Sequence, residues 1–314
     1  MNAFLNLLYG CGGLTLLYYG AEFLVKGGVR VARKFKISPL VIGLTLVAFA
    51  TSAPELVVSI DAALKGLGNI SIGNVVGSNI CNIALILGVC AMITPLTVNA
   101  KLFKLDMPLM ILSALLLSVF CLVSHGLNRI QGALLFTGII VYTVWRIRSA
   151  RKENESEEPQ EDVPNKGSLA IAVLFVIGGL AALIGGAKLF VNSAVFMAKL
   201  FNVSDAVIGL TVVAVGTSLP ELATSVVAAI RGEKDIAIGN VVGSNIFNVL
   251  AICGIAPLVS PISAPQISTV DLAVMTAVSC LLYPVMKTGM SISRREGAVL
   301  LLVYIAYTVY LIAG

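Results

Sequence analysis

Two stretches of the chain are near copies of one another. GLTLVAFATSAPELVVSI…ISIGNVVGSNICNIALILG runs from Gly43 to Gly88, and GLTVVAVGTSLPELATSV…IAIGNVVGSNIFNVLAICG runs from Gly209 to Gly254. They align without a gap at a constant offset of 166, with about 27 of 46 positions identical, which is the mark of a duplicated half-chain unit. Each copy sets one carboxylate, Glu55 or Glu221, among hydroxyls and amides in an otherwise apolar segment.

With 58% apolar and 12% charged residues, the chain departs from soluble domains, in which about a quarter of residues are charged. It reads as an all-α polytopic membrane protein. Apolar stretches long enough to cross a hydrocarbon core, on the order of 20 residues each, lie at about 3–30, 38–64, 70–93, 105–124, 129–148, 168–198, 205–230, 236–258, 268–287 and 296–313. These make ten transmembrane helices in two five-helix repeats: 1–148, then a charged linker at 149–167, then 168–314. Five is odd, so the second repeat enters the membrane upside down relative to the first.

Cytoplasmic loops collect Lys and Arg, which gives an independent reading of orientation. One set of alternate loops holds Arg30, Arg33, Lys34, Lys36, Lys101, Lys104, Arg146, Arg148, Arg151, Lys152, Lys166, Arg231, Lys234, Lys287, Arg294 and Arg295; the opposite set holds Lys65, Arg129 and Lys199. Sixteen against three places both termini outside and the linker in the cytoplasm. Lys26 and Lys188 fall within first helices and read as snorkelling side chains; Glu22, one turn before Lys26, is placed to pair with it.

The rest of the chain carries little chemistry. The first apolar segment contains Glu22 and Lys26 and reads as a retained helix rather than a cleaved signal. The six cysteines lie in apolar segments without metal-binding spacing and read as small core residues. Trp145 beside Arg146 reads as an interfacial anchor at a helix end, and His125 as a solvated turn residue. The stretch Arg151–Asn165 is charged, contains two prolines and no aromatic residue, and reads as a disordered tether.

In AlaThrSerAlaProGlu, Ala50 to Glu55, Pro54 has no amide to give the carbonyl of Ala50; Pro220 deprives Gly216 in the same way. Freed carbonyls at membrane depth must be satisfied by protein, water or an ion. Thr51 and Ser52 lie four and three residues before Glu55, on its helical face, and Thr217 and Ser218 stand likewise to Glu221. Carboxylate, hydroxyl and carbonyl oxygens suit Ca²⁺ or Na⁺ rather than zinc or copper. In the second motif, GlyAsnValValGlySerAsnIle, Asn74, Ser78 and Asn82 recur every four residues, as do Asn240, Ser244 and Asn248. Gly73 with Gly77, and Gly239 with Gly243, allow another helix to approach closely. Buried Ser and Asn often serve only to join helices. A carboxylate in lipid is different, because it needs a partner or a proton.

ATSAPE and GTSLPE, each followed by IGNVVGSNI, resemble the two alpha-repeats of the sodium/calcium exchanger family within the calcium/cation antiporter superfamily, prokaryotic type. The resemblance implies exchange of Ca²⁺ for Na⁺ by alternating access, with four ion sites around the paired glutamates. It assigns Ca²⁺ to the carboxylates of Glu55 and Glu221 and the carbonyls of Thr51 and Thr217. It adds Ser52, Ser78, Ser218, Ser244 and the carbonyls of Ala48 and Ala214 for Na⁺, with Asn82 and Asn248 beside the central position. Some members carry aspartate at the place of Asn248, an acid linked with potassium transport in one branch, so Asn248 argues against potassium.

Two glutamates neutralise one Ca²⁺, whereas three Na⁺ would leave one positive charge, driven by about 2.3 kcal/mol per 100 mV. Sodium exchange of that stoichiometry is electrogenic; two protons for one Ca²⁺ would be silent. A calcium/proton antiporter is the nearest alternative, although its branch typically carries a GNxxE-like motif instead of TSxPE. A passive divalent-cation channel is a second. An enzyme would need a nucleophile with its base, or a metal site, and the segments around the two glutamates hold neither. No cofactor, nucleic acid or obligatory protein partner is expected; the substrates are Ca²⁺ and Na⁺, and the surroundings are the lipid bilayer of the cell membrane.

Overall fold

The computed structural model describes residues 3–156, 168–201 and 214–313. Among them the regular structure is helical apart from four two-residue strands. The helices are α1 (Ala3–Phe35), α2 (Pro39–Thr51), α3 (Ala53–Leu64), α4 (Gly68–Ile93), α5 (Asp106–Ser124), α6 (Arg129–Ser156), α7 (Leu169–Leu200), α8 (Ala214–Thr217), α9 (Leu219–Ile230), α10 (Lys234–Val259), α11 (Thr269–Lys287) and α12 (Arg294–Ala313). Seven described helices are long and apolar enough to cross a membrane, or eight if α2 and α3, bent by 45° at their junction, form one span. The chain is an all-helical polytopic membrane protein. α1 and α9 stand outside that set, and most of the segment expected at 205–230 before α9 lies outside the described residues.

α4 and α10, which carry the GNVVGSNI motifs, form the centre: 72% and 83% of their apolar windows are buried, against 11% for α12 and 22% for α7. Their amide-rich faces have no water to turn to in hydrocarbon, so they must face protein. The outer helices instead expose side chains such as Val123, Ile130 and Leu174. Gly43 of α2 and Gly239 of α10 mark a close crossing of the two repeats. A Cβ on Gly43 would lie 2.9 Å from the Ile236 carbonyl oxygen, and one on Gly239 2.8 Å from that of Leu40. Gly243 is pressed likewise onto Leu44. Gly77 has no such neighbour among the described residues.

The short strands join the halves at their ends. β1 (Leu96–Thr97) pairs antiparallel with β4 (Ser291–Ile292), setting Leu96 opposite Ile292; β2 (Gly126–Leu127) pairs antiparallel with β3 (Ile262–Ser263), setting Gly126 opposite Ser263. Each pairing joins a loop of the first half to a loop of the second.

Three local expectations change. α6 runs on to Ser156, past the expected boundary at 148, because Arg, Lys and Glu are good helix formers and prolong the helix beyond its apolar part. The first six residues of the expected tether are therefore helical, and 157–167 lie outside the described residues. Trp145 consequently sits inside a helix. Arg146 is not a loop residue: it is 3% exposed and pairs with the buried Asp106 at 3.3 Å, so one of the sixteen basic residues counted for orientation belongs to the core. Lys26 does pair with Glu22, at 2.6 Å, and Arg231 joins the same carboxylate. His125 caps α5 in the left-handed region (φ 51°) and is exposed.

Candidate functional site

Proline sets the geometry of the site. Pro54 and Pro220 begin new helices, and the serines before them, Ser52 (φ −81°, ψ 4°) and Ser218 (φ −88°, ψ 7°), break the helical path. The backbone resumes so that Glu55 and Glu221 stand in the first turns of α3 and α9, where unpaired amides and the helix dipole favour negative charge. Both glutamates are fully buried.

Each glutamate is held by the opposite repeat. The Ser52 hydroxyl donates to Glu221 Oε1 at 2.9 Å, and the Ser218 hydroxyl to Glu55 Oε1 at 3.3 Å. The second oxygens, Glu55 Oε2 and Glu221 Oε2, accept no hydrogen bond among the described residues. Thr51 donates to Asn240 Oδ1 at 3.1 Å. Ala48 O accepts the Ser52 amide at 3.0 Å and the Thr51 hydroxyl at 3.4 Å.

Within each repeat an asparagine of the central helix clamps the backbone at the glutamate. Asn74 donates to the Glu55 carbonyl (3.2 Å) and Ser59 Oγ (2.9 Å); Asn240 donates to the Glu221 carbonyl (3.4 Å) and Ser225 Oγ (3.0 Å). The repeat therefore recurs in its hydrogen bonds as well as its residues.

Asn82 and Asn248 lie in widened π-helical turns, Cys81–Leu87 and Asn248–Ile252, a geometry frequent at functional sites. The first of these turns packs on α9, which carries Glu221, and the second on α3, which carries Glu55. Both asparagine side chains are fully buried, and their Oδ1 atoms, like Ser244 Oγ, have no hydrogen-bond partner among the described residues. Ser78 is 2% exposed. Thr217 is half-buried, and Ala214 begins α8; its side chain is outside the described set.

The duplicated motifs thus bring Ser52, Ser218, Glu55 and Glu221 into direct contact across the halves, with Thr51 reaching Asn240. Two residues at the centre escaped the sequence reading. Asn79 and Asn245 bridge the repeats and hold Asn248 and Asn82. The available signal was their presence in both copies of GlySerAsnIle; their spacing places them off the stripe of Asn74, Ser78 and Asn82. Among the described residues no three His, Cys, Asp or Glu side chains come together. The donor set is oxygen from two acids, hydroxyls and amides, which is the chemistry of hard cations.

The profile of the family described as sodium/calcium exchanger protein matches residues 5–148 and 171–313. The sodium/calcium exchanger MaX1 of Methanosarcina acetivorans is 37% identical over 336 aligned positions, covering 95% of this chain and 96% of that protein. The inner membrane protein YrbG of Escherichia coli is 35% identical, covering 79% and 78%. Among solved structures, the sodium-calcium exchanger NCX_Mj soaked with zero Na⁺ and Ca²⁺ superposes with a TM-score of 0.85 at 35% identity, over 99% of this chain and 100% of the other. The chain is a member of the sodium/calcium exchanger family.

Proposed function

We propose that the protein is a secondary antiporter of the cell membrane that exchanges Ca²⁺ for Na⁺ by alternating access and moves net charge. The observation that carries this reading is the reciprocal hold of the two buried glutamates: each gives one oxygen to the other repeat's serine and keeps one oxygen without a protein donor among the described residues. Buried acids without a protein cation call for a cationic ligand or a proton. One Ca²⁺ balances both, and the surrounding orphan oxygens of Asn82, Asn248 and Ser244 suit a bare ion.

In this reading Glu55, Glu221 and the carbonyls of Thr51 and Thr217 bind Ca²⁺. Ser52, Ser78, Ser218, Ser244 and the carbonyls of Ala48 and Ala214 complete the Na⁺ sites, with Asn82 and Asn248 at the central position. Ten spans in two inverted halves, 1–148 and 168–314, place both termini outside and residues 149–167 in the cytoplasm. The strand pairings support that count, since β1 with β4 and β2 with β3 each join loops assigned to one side.

Calcium uptake into proteoliposomes under imposed Na⁺, H⁺ or K⁺ gradients tests the proposal. Uptake driven by outward Na⁺ and altered by a clamped voltage is expected. Uptake driven by H⁺ and indifferent to voltage would assign the protein to calcium/proton exchange, and flux without any counter-ion gradient to a channel.

A further inference from the structure

We infer that Asn79 and Asn245 are positioning residues that fix which end of the Asn248 and Asn82 amides is left to the ions. The inference rests on the proposed reading of the site. Asn79 Nδ2 donates to the backbone carbonyl of Asn245 at 3.5 Å, and Asn245 Nδ2 to that of Asn79 at 3.3 Å. A carbonyl only accepts, so the amide nitrogen must lie on that side and Oδ1 on the other. Each Nδ2 also touches a methionine sulfur of the neighbouring helix at 3.9 Å, Met275 for Asn79 and Met110 for Asn245. Both contacts are to acceptors.

With the first pair fixed, the second follows. Asn79 Oδ1 receives Asn248 Nδ2 at 3.0 Å, and Asn245 Oδ1 receives Asn82 Nδ2 at 3.0 Å. Turning either amide over would set oxygen against oxygen in a site where all four residues are no more than 2% exposed, and a buried polar group left without its partner is costly. The free ends of Asn82 and Asn248 are therefore oxygens, the same Oδ1 atoms that have no protein partner among the described residues. A turned amide would offer N–H groups to an arriving cation. The polarity of the central position is thus set from the far side of each asparagine, by the opposite repeat.

The test is equilibrium binding of radioactive calcium to purified protein, with ion-free melting temperature measured alongside. Asn79→Ser, Asn79→Leu and Asn248→Ala are each expected to weaken Ca²⁺ binding about tenfold, the scale of losing one buried amide hydrogen bond. Asn79→Ser combined with Asn248→Ala should be no weaker than about twofold beyond the stronger single change, whereas Asn79→Ser with Asn82→Ala should multiply. Asn245 with Asn82 forms the mirror cycle and serves if the Asn79 variants fold poorly. Losses that multiply in every combination, or that follow melting temperature alone, would overturn the orienting role while leaving the site reading intact. Failure of both asparagines to tolerate any change without unfolding would overturn it as well. Wild-type protein that binds neither Ca²⁺ nor Na⁺ would overturn the reading of the site and this inference together.

Discussion

Ser52 of the first repeat donates a hydrogen bond to Glu221 of the second at 2.9 Å, and the mirrored pair, Ser218 and Glu55, closes at 3.3 Å. Among the described residues, neither carboxylate takes a side-chain hydrogen bond from its own half. Folding one repeat alone would leave a carboxylate in hydrocarbon without its serine, so the site exists only where the two halves meet.

Removing either serine should weaken cation binding without emptying the site. A hydrogen bond to a charged group contributes about 1.5–3 kcal/mol, so Ser52→Ala and Ser218→Ala should each raise the half-saturating Ca²⁺ concentration by roughly 10- to 100-fold. Titration of exchange rate against Ca²⁺ checks this. An unchanged half-saturation in both variants would separate the serines from Ca²⁺ binding.

The close crossing of α2 and α10 gives a prediction about folding. Gly239→Ala would push a methyl to 2.8 Å from the Leu40 carbonyl oxygen, against backbone that cannot yield as a side chain would, whereas a Cβ on Gly178 meets nothing within 4 Å among the described residues. Gly239→Ala should lower the melting temperature and transport, and Gly178→Ala should leave both near wild type. Equal behaviour of the two would argue against the backbone contact.

A third expectation concerns the buried ion pair. Tyr142 donates to Asp106 Oδ1 at 2.9 Å and Arg146 faces Oδ2 at 3.3 Å. The second half repeats the first contact as Tyr307 to Asp271, also 2.9 Å, but places Leu311 where the offset calls for an arginine. Losing one partner of a buried pair costs about 3–5 kcal/mol, and losing a hydrogen bond to a charged group about 1.5–3 kcal/mol. Arg146→Met should therefore destabilise the protein more than Tyr142→Phe, and Tyr307→Phe should match Tyr142→Phe. Denaturation in detergent of the three variants gives the ranking; a harmless Arg146→Met would remove the pair from the stability account.

Lys188 is exposed on α7, apart from the glutamates in sequence and with no role in the proposed cage. Lys188→Gln should retain exchange within about twofold of wild type, the effect expected of an ordinary surface change. A severe loss, measured by the same vesicle uptake, would mean that the cation path includes α7.

Much of the site was legible because duplication marks it: Glu55, Ser52 and their counterparts recur at one offset, and chemistry that expensive in lipid is not repeated idly. What the chain could not disclose was rotation. Asn79 stands one residue from Ser78, and only the crossing of α4 and α10 turns it onto Asn245 rather than into its own repeat. The Asp106–Tyr142 contact and its partner Asp271–Tyr307 are related by 165 rather than 166, outside the stretch where identity is visible, so the repeat there is structural and not textual. Arg146 looked like a loop cation because the apolar run thins out beside it; its burial depends on Asp106 facing it from α5. The extension of α6 to Ser156 followed from helix propensity in a segment whose charge suggested a tether.

The most direct measurement of the central claim is calcium binding and Na⁺-driven calcium uptake by Glu55→Gln and Glu221→Gln in parallel. If both carboxylates grip one Ca²⁺, each substitution alone reduces uptake to the background of empty vesicles and abolishes Na⁺-displaceable binding, while wild type binds one Ca²⁺ per chain. Na⁺-coupled uptake that survives in either variant would contradict the shared site.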